Sequence, residues 1–156
     1  MPILKQESKP LLSKTKWIAI AILCVSLIGF SDASYLTFAH YSGEGPACSV
    51  LEGCDEVTTS EYSTVLGIPV ALGGAFFYLT MLLLSIMTLE SKQHLPLKLA
   101  GYLSPAGFLA SVWFVYLQLY VIEAICLYCM GSAITSTLLF ILGMYALKKI
   151  QEKHRL

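Results

Sequence analysis

Long apolar runs alternate with short polar segments along the whole chain. A bilayer core takes roughly 20 consecutive apolar residues as a helix, and four runs reach that length. The last three of these runs contain no Asp, Glu, Lys or Arg, and the first contains only Asp32. The pattern predicts an all-α integral membrane protein, a bundle of four transmembrane helices. The predicted helices cover about residues 17–41, 68–89, 99–122 and 124–147.

The composition fits a protein that lies almost entirely in a membrane. Hydrophobic residues make up 56% of the chain and charged residues 13%, about half the charged share of a soluble domain. The polar remainder has no stretch long enough for a separate soluble domain, which usually needs more than about 40 residues. We therefore expect one membrane domain over residues 1–156, surrounded by lipid, with no nucleic acid partner.

The basic residues predict the orientation of the four helices. Every Lys and Arg precedes the first span, joins the second to the third, or follows the fourth. The positive-inside rule places these segments, and with them both termini, in the cytoplasm. The loop 42–67 and the turn containing Glu123 then lie outside. An alternative, a signal peptide cleaved near Ser31 and Ala33, would leave the same loop outside.

The cysteines fall into two pairs on the predicted external side. Cys48 and Cys54 lie in the loop, whereas Cys126 and Cys129 form a Cys-x-x-Cys motif at the start of the fourth span. Thiols outside the cytosol tend to pair as disulfides. Residues three apart share a helix face, and a helix N-terminus stabilises a thiolate there. The arrangement predicts an electron relay that ends at an apolar acceptor in the bilayer, such as a quinone.

Other interpretations of the polar and sulfur-containing residues remain open. Two inert disulfides in a non-enzymatic membrane scaffold would also account for two external pairs. A four-cysteine zinc site is less suitable, because five residues separate the first pair, and we expect no metal. Cys24 is interpreted as a small buried apolar residue within the first span. Asp32 is interpreted as a hydrated or hydrogen-bonded side chain, with a proton or redox role as the alternative.

Two stretches of the chain resemble a known family. The segment "CSVLEGCDEVTTSEYSTVLGIPVALGGAFFY", from Cys48 to Tyr78, and "CLYC", from Cys126 to Cys129, resemble the bacterial homologues of vitamin K epoxide reductase. The resemblance extends to helix number, orientation and cysteine order, and so covers nearly the whole chain. Many such relatives carry a fused thioredoxin-like domain. This chain stops at Leu156, so we expect its thioredoxin-fold partner to be a separate protein.

The resemblance implies a role for each cysteine and for one serine. Cys126 and Cys129 correspond to the active-site pair, with Cys129 as the thiolate that faces and reduces the quinone. Cys48 and Cys54 correspond to the loop pair, in which Cys54 attacks Cys126 and Cys48 exchanges with the external partner. Ser60 corresponds to a hydroxyl that hydrogen-bonds a quinone oxygen. The residues between Cys54 and Gly67 would form a short amphipathic lid over the bundle.

The resemblance also implies the overall reaction. The protein would reoxidise an extracytoplasmic thioredoxin-fold partner, similar to disulfide bond protein A, and pass the electrons to ubiquinone or menaquinone. It would lie in the cell inner membrane, with its active site facing the periplasm. The alternative is an enzyme of the disulfide bond protein B type, which does the same work but carries its two cysteine pairs in the reverse order.

The acceptor pocket is predicted only in outline. Helix faces near the outer end suggest Leu72, Phe76, Met130 and Ala133 as lining residues, beside Ser60 and Cys129. Animal members of the family hold vitamin K with an Asn in the second helix and a Tyr four residues after the last cysteine. This chain contains no Asn, and Ala133 stands at the Tyr position. We therefore expect an ordinary quinone, not a vitamin K epoxide, as the substrate.

Overall fold

A computed structural model describes residues 8–43, 45–47, 53–91 and 94–155 of the chain. Four of its helices are long and apolar enough to cross a membrane, which confirms the predicted four-helix fold. The elements are, in chain order, α1 (Ser8–Ser42), α2 (Cys54–Thr59), a 3-10 turn (Glu61–Ser63), β1 (Thr64–Val65), β2 (Ile68–Pro69), α3 (Val70–Glu90), α4 (Leu95–Tyr120) and α5 (Leu127–Arg155).

The helix ends differ from the ends of the apolar runs. Helix α4 begins at Leu95 and has Pro96 in its first turn, where the missing N–H of a proline costs nothing. Helix α1 ends just before Gly43, whose φ of 71° is the left-handed conformation that stops many helices. Helix α5 begins at Leu127, so Cys126 precedes its first turn. An apolar run marks the segment that suits a bilayer, whereas capping residues decide where the backbone becomes helical.

The long helices pack antiparallel in two close pairs. In the α1/α3 pair, Gly29 lies directly under the ring of Tyr78, and Gly74 faces Ala33 one turn away. In the α4/α5 pair, Gly101 lies against the backbone carbonyl of Gly143. Small residues at these crossings let the backbones approach, as they do in membrane helix bundles generally.

The bundle has a buried apolar core towards one end. Buried side chains from all four long helices meet there, including Ile22, Met81, Leu97, Leu139 and Ile150. A second, smaller buried cluster lies at the opposite end and consists of Cys54, Val57, Ala124 and Cys126. The sulfur-containing residues are thus concentrated at one end of the bundle.

A polar contact joins α3 to α5 between these two clusters. The hydroxyl of Tyr78 donates to the carbonyl of Ser132 at 2.8 Å and lies 2.7 Å from the hydroxyl of Thr135. Only 2% of Tyr78 is exposed, so burial without these partners would be costly. The contact fixes the relative register of the two helices beside the sulfur-containing end.

A short hairpin leads from α2 into α3. Val65 of β1 pairs with Ile68 of β2, and the two residues between them, Leu66 and Gly67, have φ values of 54° and 77°. Positive φ at both central residues is the geometry of a type I′ turn, which matches the twist of a two-residue hairpin. The hairpin places Val65, Leu66 and Ile68 at the rim of the cavity described below.

Candidate functional site

Cys126 caps the N-terminus of α5. It immediately precedes the helix, whose first N–H groups have no partner within the helix. The backbone N–H groups of Tyr128 and Cys129 donate to the Cys126 sulfur, in the way that serine or aspartate oxygens serve at other helix starts. The carbonyl of Cys126 accepts the first helical bond, from Met130 N at 3.0 Å. The start of the helix therefore fixes the position of this thiol.

The capping bonds and the second cysteine of the motif make Cys126 acidic. The Cys129 thiol donates a hydrogen bond to the Cys126 sulfur, and this bond and the two backbone N–H groups lower the pKa of Cys126 from about 9 to about 7. Burial and the carboxylate of Asp32 act in the opposite direction and are outweighed. Both cysteines are free thiols. Cys24 is also a free thiol, but it is exposed on α1, so the prediction that it is buried was wrong. A large thiolate fraction near neutral pH makes Cys126 a ready nucleophile.

Cys54 lies against this motif. It is disulfide-bonded, is only 1% exposed and shares its buried cluster with Cys126, while Cys129 packs at the edge of that cluster. The preceding residue, Gly53, lies so close to Ile125 that a Cβ would come within 2.9 Å of its backbone. The lack of a side chain at Gly53 therefore lets the loop approach the motif. Cys48 lies outside the described residues, so its predicted role stays a prediction.

Two tyrosines hold the loop on the other side of the motif. The hydroxyl of Tyr35 accepts a hydrogen bond from Ala47 N at 3.1 Å, and the hydroxyl of Tyr128 donates to Ala47 O at 3.2 Å. The two rings contact each other with centroids 5.1 Å apart. We call Tyr35 and Tyr128 the tyrosine clamp. The clamp fixes Ala47, the residue before Cys48, above the Cys-x-x-Cys motif, and the sequence analysis did not identify it.

A mostly apolar cavity of about 700 Å³ opens beside Cys129. Helices α1, α3, α4 and α5 and the segment from α2 to β2 all contribute to its wall. Of the residues predicted to contact the acceptor, Ser60 and Cys129 line the cavity. The Ser60 hydroxyl donates to the carbonyl of Val57 at 2.8 Å, a bond within its own turn. The structure thus brings the motif, the loop serine and a pocket of ligand size together.

The other residues predicted to line the pocket are not among the described residues that line this cavity. They are Leu72, Phe76, Met130 and Ala133. Phe76 is 63% exposed, whereas its neighbours Phe77 and Tyr78 reach the cavity. One step along a helix turns a side chain by about 100°, so a small error in helix phase selects the wrong neighbour.

Gln118 is a site residue that the sequence analysis missed. Its Oε1 accepts a hydrogen bond from Cys126 N at 2.9 Å, its exposed fraction is 2%, and it lines the cavity. One sequence feature could have indicated Gln118. Ser104, Ser111 and Gln118 follow one another at intervals of seven residues within an apolar run. Such a spacing places polar groups on one helix face. The Ser111 hydroxyl does hydrogen-bond Ser136 of α5.

Asp32 lies in α1 on the same side of the bundle as the motif. Its Oδ2 is buried and makes no hydrogen bond with the described residues, and its carboxylate interacts electrostatically with Cys126 and Cys129. Within the described part of the chain, no three His, Cys, Asp or Glu side chains come together as metal ligands. The carboxylate of Asp32 therefore opposes the thiolate form of Cys126.

The chain matches known proteins over the segment that carries this site. The model of the vitamin K epoxide reductase family matches residues 20–144. The chain is also 32% identical over 126 residues to "Thiol-disulfide oxidoreductase LTO1" of Arabidopsis thaliana, a region that is 75% of this chain and 33% of that protein. The chain thus spans about a third of the relative's length. The family match includes Cys54, Cys126 and Cys129, together with Ser60 and Gln118.

Proposed function

The chain belongs to the vitamin K epoxide reductase family, and on that premise we propose that it is a membrane thiol-disulfide oxidoreductase. It takes electrons from an extracytoplasmic thioredoxin-fold protein and passes them to a membrane quinone. One observation carries the proposal: the sulfur atoms follow one another from the loop to the cavity. Cys54 packs against Cys126, Cys126 contacts Cys129, and Cys129 lines the cavity.

The first half of the reaction is thiol-disulfide exchange. The dithiol of the partner attacks the loop disulfide at Cys48, becomes oxidised, and leaves Cys54 as a thiolate. Cys54 attacks Cys126 in the Cys126–Cys129 disulfide, and Cys129 leaves with the electron pair. The Cys48 thiolate then attacks Cys54, which restores the loop disulfide and releases Cys126. The shared buried cluster of Cys54 and Cys126 supports this order of attack.

The second half returns the motif to its disulfide. Cys54 is disulfide-bonded and Cys126 and Cys129 are free thiols, the combination expected after exchange and before oxidation. Oxidation of Cys126 and Cys129 forms the S–S bond and releases two electrons together with the thiol proton of Cys129. A quinone in the cavity would take up the two electrons through Cys129, with that proton and a second proton from solvent, and become a quinol. The lowered pKa of Cys126 supports this step, because the thiolate form has already lost its proton.

The cavity suits a quinone as the acceptor. Its volume of about 700 Å³ lies in the usual range for small-molecule sites, and its wall is mostly apolar with a few polar groups. Ubiquinone and menaquinone both match this description. The distribution of Lys and Arg supports an extracytoplasmic position for this end of the bundle, where a thioredoxin-fold protein would reach the loop. The membrane in this proposal is the cell inner membrane.

Quinone reduction by the purified protein tests the proposal. With a reduced thioredoxin-fold donor and short-chain ubiquinone or menaquinone, we expect turnover in the wild type and none in Cys129→Ala. Cys54→Ser should accumulate a donor adduct at Cys48, because the resolving thiol is missing. Cys24→Ala is the control, since Cys24 is an exposed thiol on α1 outside the relay, and it should keep full turnover. If the wild type reduces neither quinone and its disulfides resist the donor, the proposal is refuted, and the protein is a membrane scaffold with structural disulfides.

A further inference from the structure

Gln118 connects the cavity to the backbone of Cys126. Its side chain is almost completely buried in α4, and its Oε1 accepts the Cys126 N–H at 2.9 Å. A carboxamide has an oxygen that only accepts and a nitrogen that only donates. Because the oxygen faces Cys126, the orientation of the amide is determined and its NH₂ group faces elsewhere. Gln118 and Cys129 both line the cavity, so the proposed acceptor site lies beside the Gln118 side chain.

Several other polar groups of the cavity wall use their protons inside the protein. The hydroxyls of Thr58 and Ser60 donate to carbonyls of their own turn, those of Cys54 and Val57. Ser111 and Ser136 hydrogen-bond each other, and Tyr78 donates to the carbonyl of Ser132. A ligand oxygen would have to displace an existing bond to use any of these hydroxyls. The bond between Gln118 and Cys126 involves only the oxygen of the amide, so the nitrogen can donate without such a loss.

We propose that Gln118 Nε2 donates a hydrogen bond to a carbonyl oxygen of the electron acceptor while Gln118 Oε1 holds the backbone of Cys126. This inference rests on the proposed function and adds a residue that selects oxygen-bearing acceptors, the quinones, over plain aromatic rings. Negative charge grows on the carbonyl oxygen as the ring is reduced, so the same N–H bond strengthens during electron transfer. One amide would thereby position both reactants.

A comparison of two ligands with two side chains tests the inference. The ligands are a short-chain naphthoquinone, assayed as substrate, and the matching alkylnaphthalene, which lacks both oxygens and is assayed as a competitive inhibitor. In Gln118→Met we expect the KM of the quinone to rise about tenfold, because one hydrogen bond to the quinone is lost. The inhibition constant of the hydrocarbon should stay within about twofold, because the hydrocarbon makes no such bond. Damage to the cavity shape would instead weaken both ligands equally.

Two further variants keep the test decisive. Gln151→Met makes the same substitution at an exposed site in the last turns of α5 and should leave both constants unchanged. If Gln118→Met does not fold, Gln118→Glu takes its place, because it keeps an oxygen for the Cys126 N–H and replaces the NH₂ group. Equal effects on both ligands, or no effect on either, would overturn the inference while wild-type quinone reduction still upheld the proposed function. A wild type without quinone reduction would refute the proposed function itself.

Discussion

Cys126 combines two duties that are usually carried by different residues. Its sulfur caps α5, and it is also the thiol that contacts both Cys54 and Cys129. The Cys129 thiol makes the largest contribution to its acidity, and the helix amides add to it. Since the cap requires an acceptor, the helix start itself favours the thiolate. The same geometry that begins the helix therefore prepares the nucleophile.

The acidity of Cys126 can be measured in the reduced protein. The lowered pKa means that the thiolate fraction is small below pH 7, rises as the pH passes through about 7, and is nearly complete before an ordinary cysteine titrates near 9. Ultraviolet absorbance of the thiolate follows this directly, with Cys126→Ser as the blank. Cys129→Ala removes the largest cause of the lowered pKa of Cys126, so the midpoint of the thiolate titration should move towards pH 9. An unmoved midpoint would show that the helix amides alone control this thiol.

The residue scale is also where sequence reasoning was weakest. The motif and the loop pair stand out because cysteine is rare and its spacing is informative, and Ser60 followed from the resemblance. Gln118 and Tyr35 gave a weak signal or none, since their function depends on which side chain faces them across the bundle. The sequence indicates Phe76 as a lining residue, whereas Phe77 and Tyr78 line the cavity, because the phase of a uniformly apolar helix cannot be read from its sequence.

At the scale of elements, the loop before α2 is attached to the start of α5 from both sides. Gly53 lies on the backbone of Ile125, and Ala47 is held by Tyr35 and Tyr128. The four long helices followed from apolar length alone, because a bilayer demands that length. The hairpin and the tyrosine clamp did not, since they depend on two-residue turn geometry and on contacts between distant segments.

Loss of one clamp bond should slow exchange between the loop and the motif. Tyr128→Phe removes the hydrogen bond to Ala47 O and keeps the ring contact with Tyr35, so the loop docks less firmly. We expect electron transfer from Cys54 to the Cys126–Cys129 disulfide to slow roughly fivefold, because the lost hydrogen bond is worth about 1 kcal/mol. Rapid mixing with a reduced donor followed by acid quench and thiol labelling measures this step.

The matched control for the clamp is Tyr41→Phe. Tyr41 is an exposed tyrosine on the same helix as Tyr35, and it should exchange at the wild-type rate. Quinone reduction by prereduced Tyr128→Phe should also be unchanged, because that half of the reaction does not need the loop. Equal slowing of both halves would show that the substitution disturbs the motif itself and that the clamp has no separate role.

The whole molecule is divided along its length into two ends with different properties. One end holds the apolar core of Leu97 and Ile150, next to the lysines at the start of α4 and the end of α5. The other end holds the sulfur-containing residues, the cavity and the turn with Glu123. Antiparallel packing of α1 with α3 and of α4 with α5 brings like ends together. The lysines, which are separated from Glu123 along the sequence, therefore also lie at the opposite end of the folded bundle.

This segregation predicts which end faces the cytoplasm. Lysine and arginine close to membrane spans are retained on the cytoplasmic side, so the end with the motif should face outward. In intact cells, a membrane-impermeant maleimide should label Glu123→Cys and should not label Ser91→Cys until the membrane is opened, both in a background without the native cysteines. Ser91 is the C-cap residue of α3 and Glu123 lies between α4 and α5, so the two probes report opposite ends of the bundle. The reverse labelling would place the thiols in the reducing cytoplasm, where disulfides are rare, and would exclude exchange with an extracytoplasmic partner.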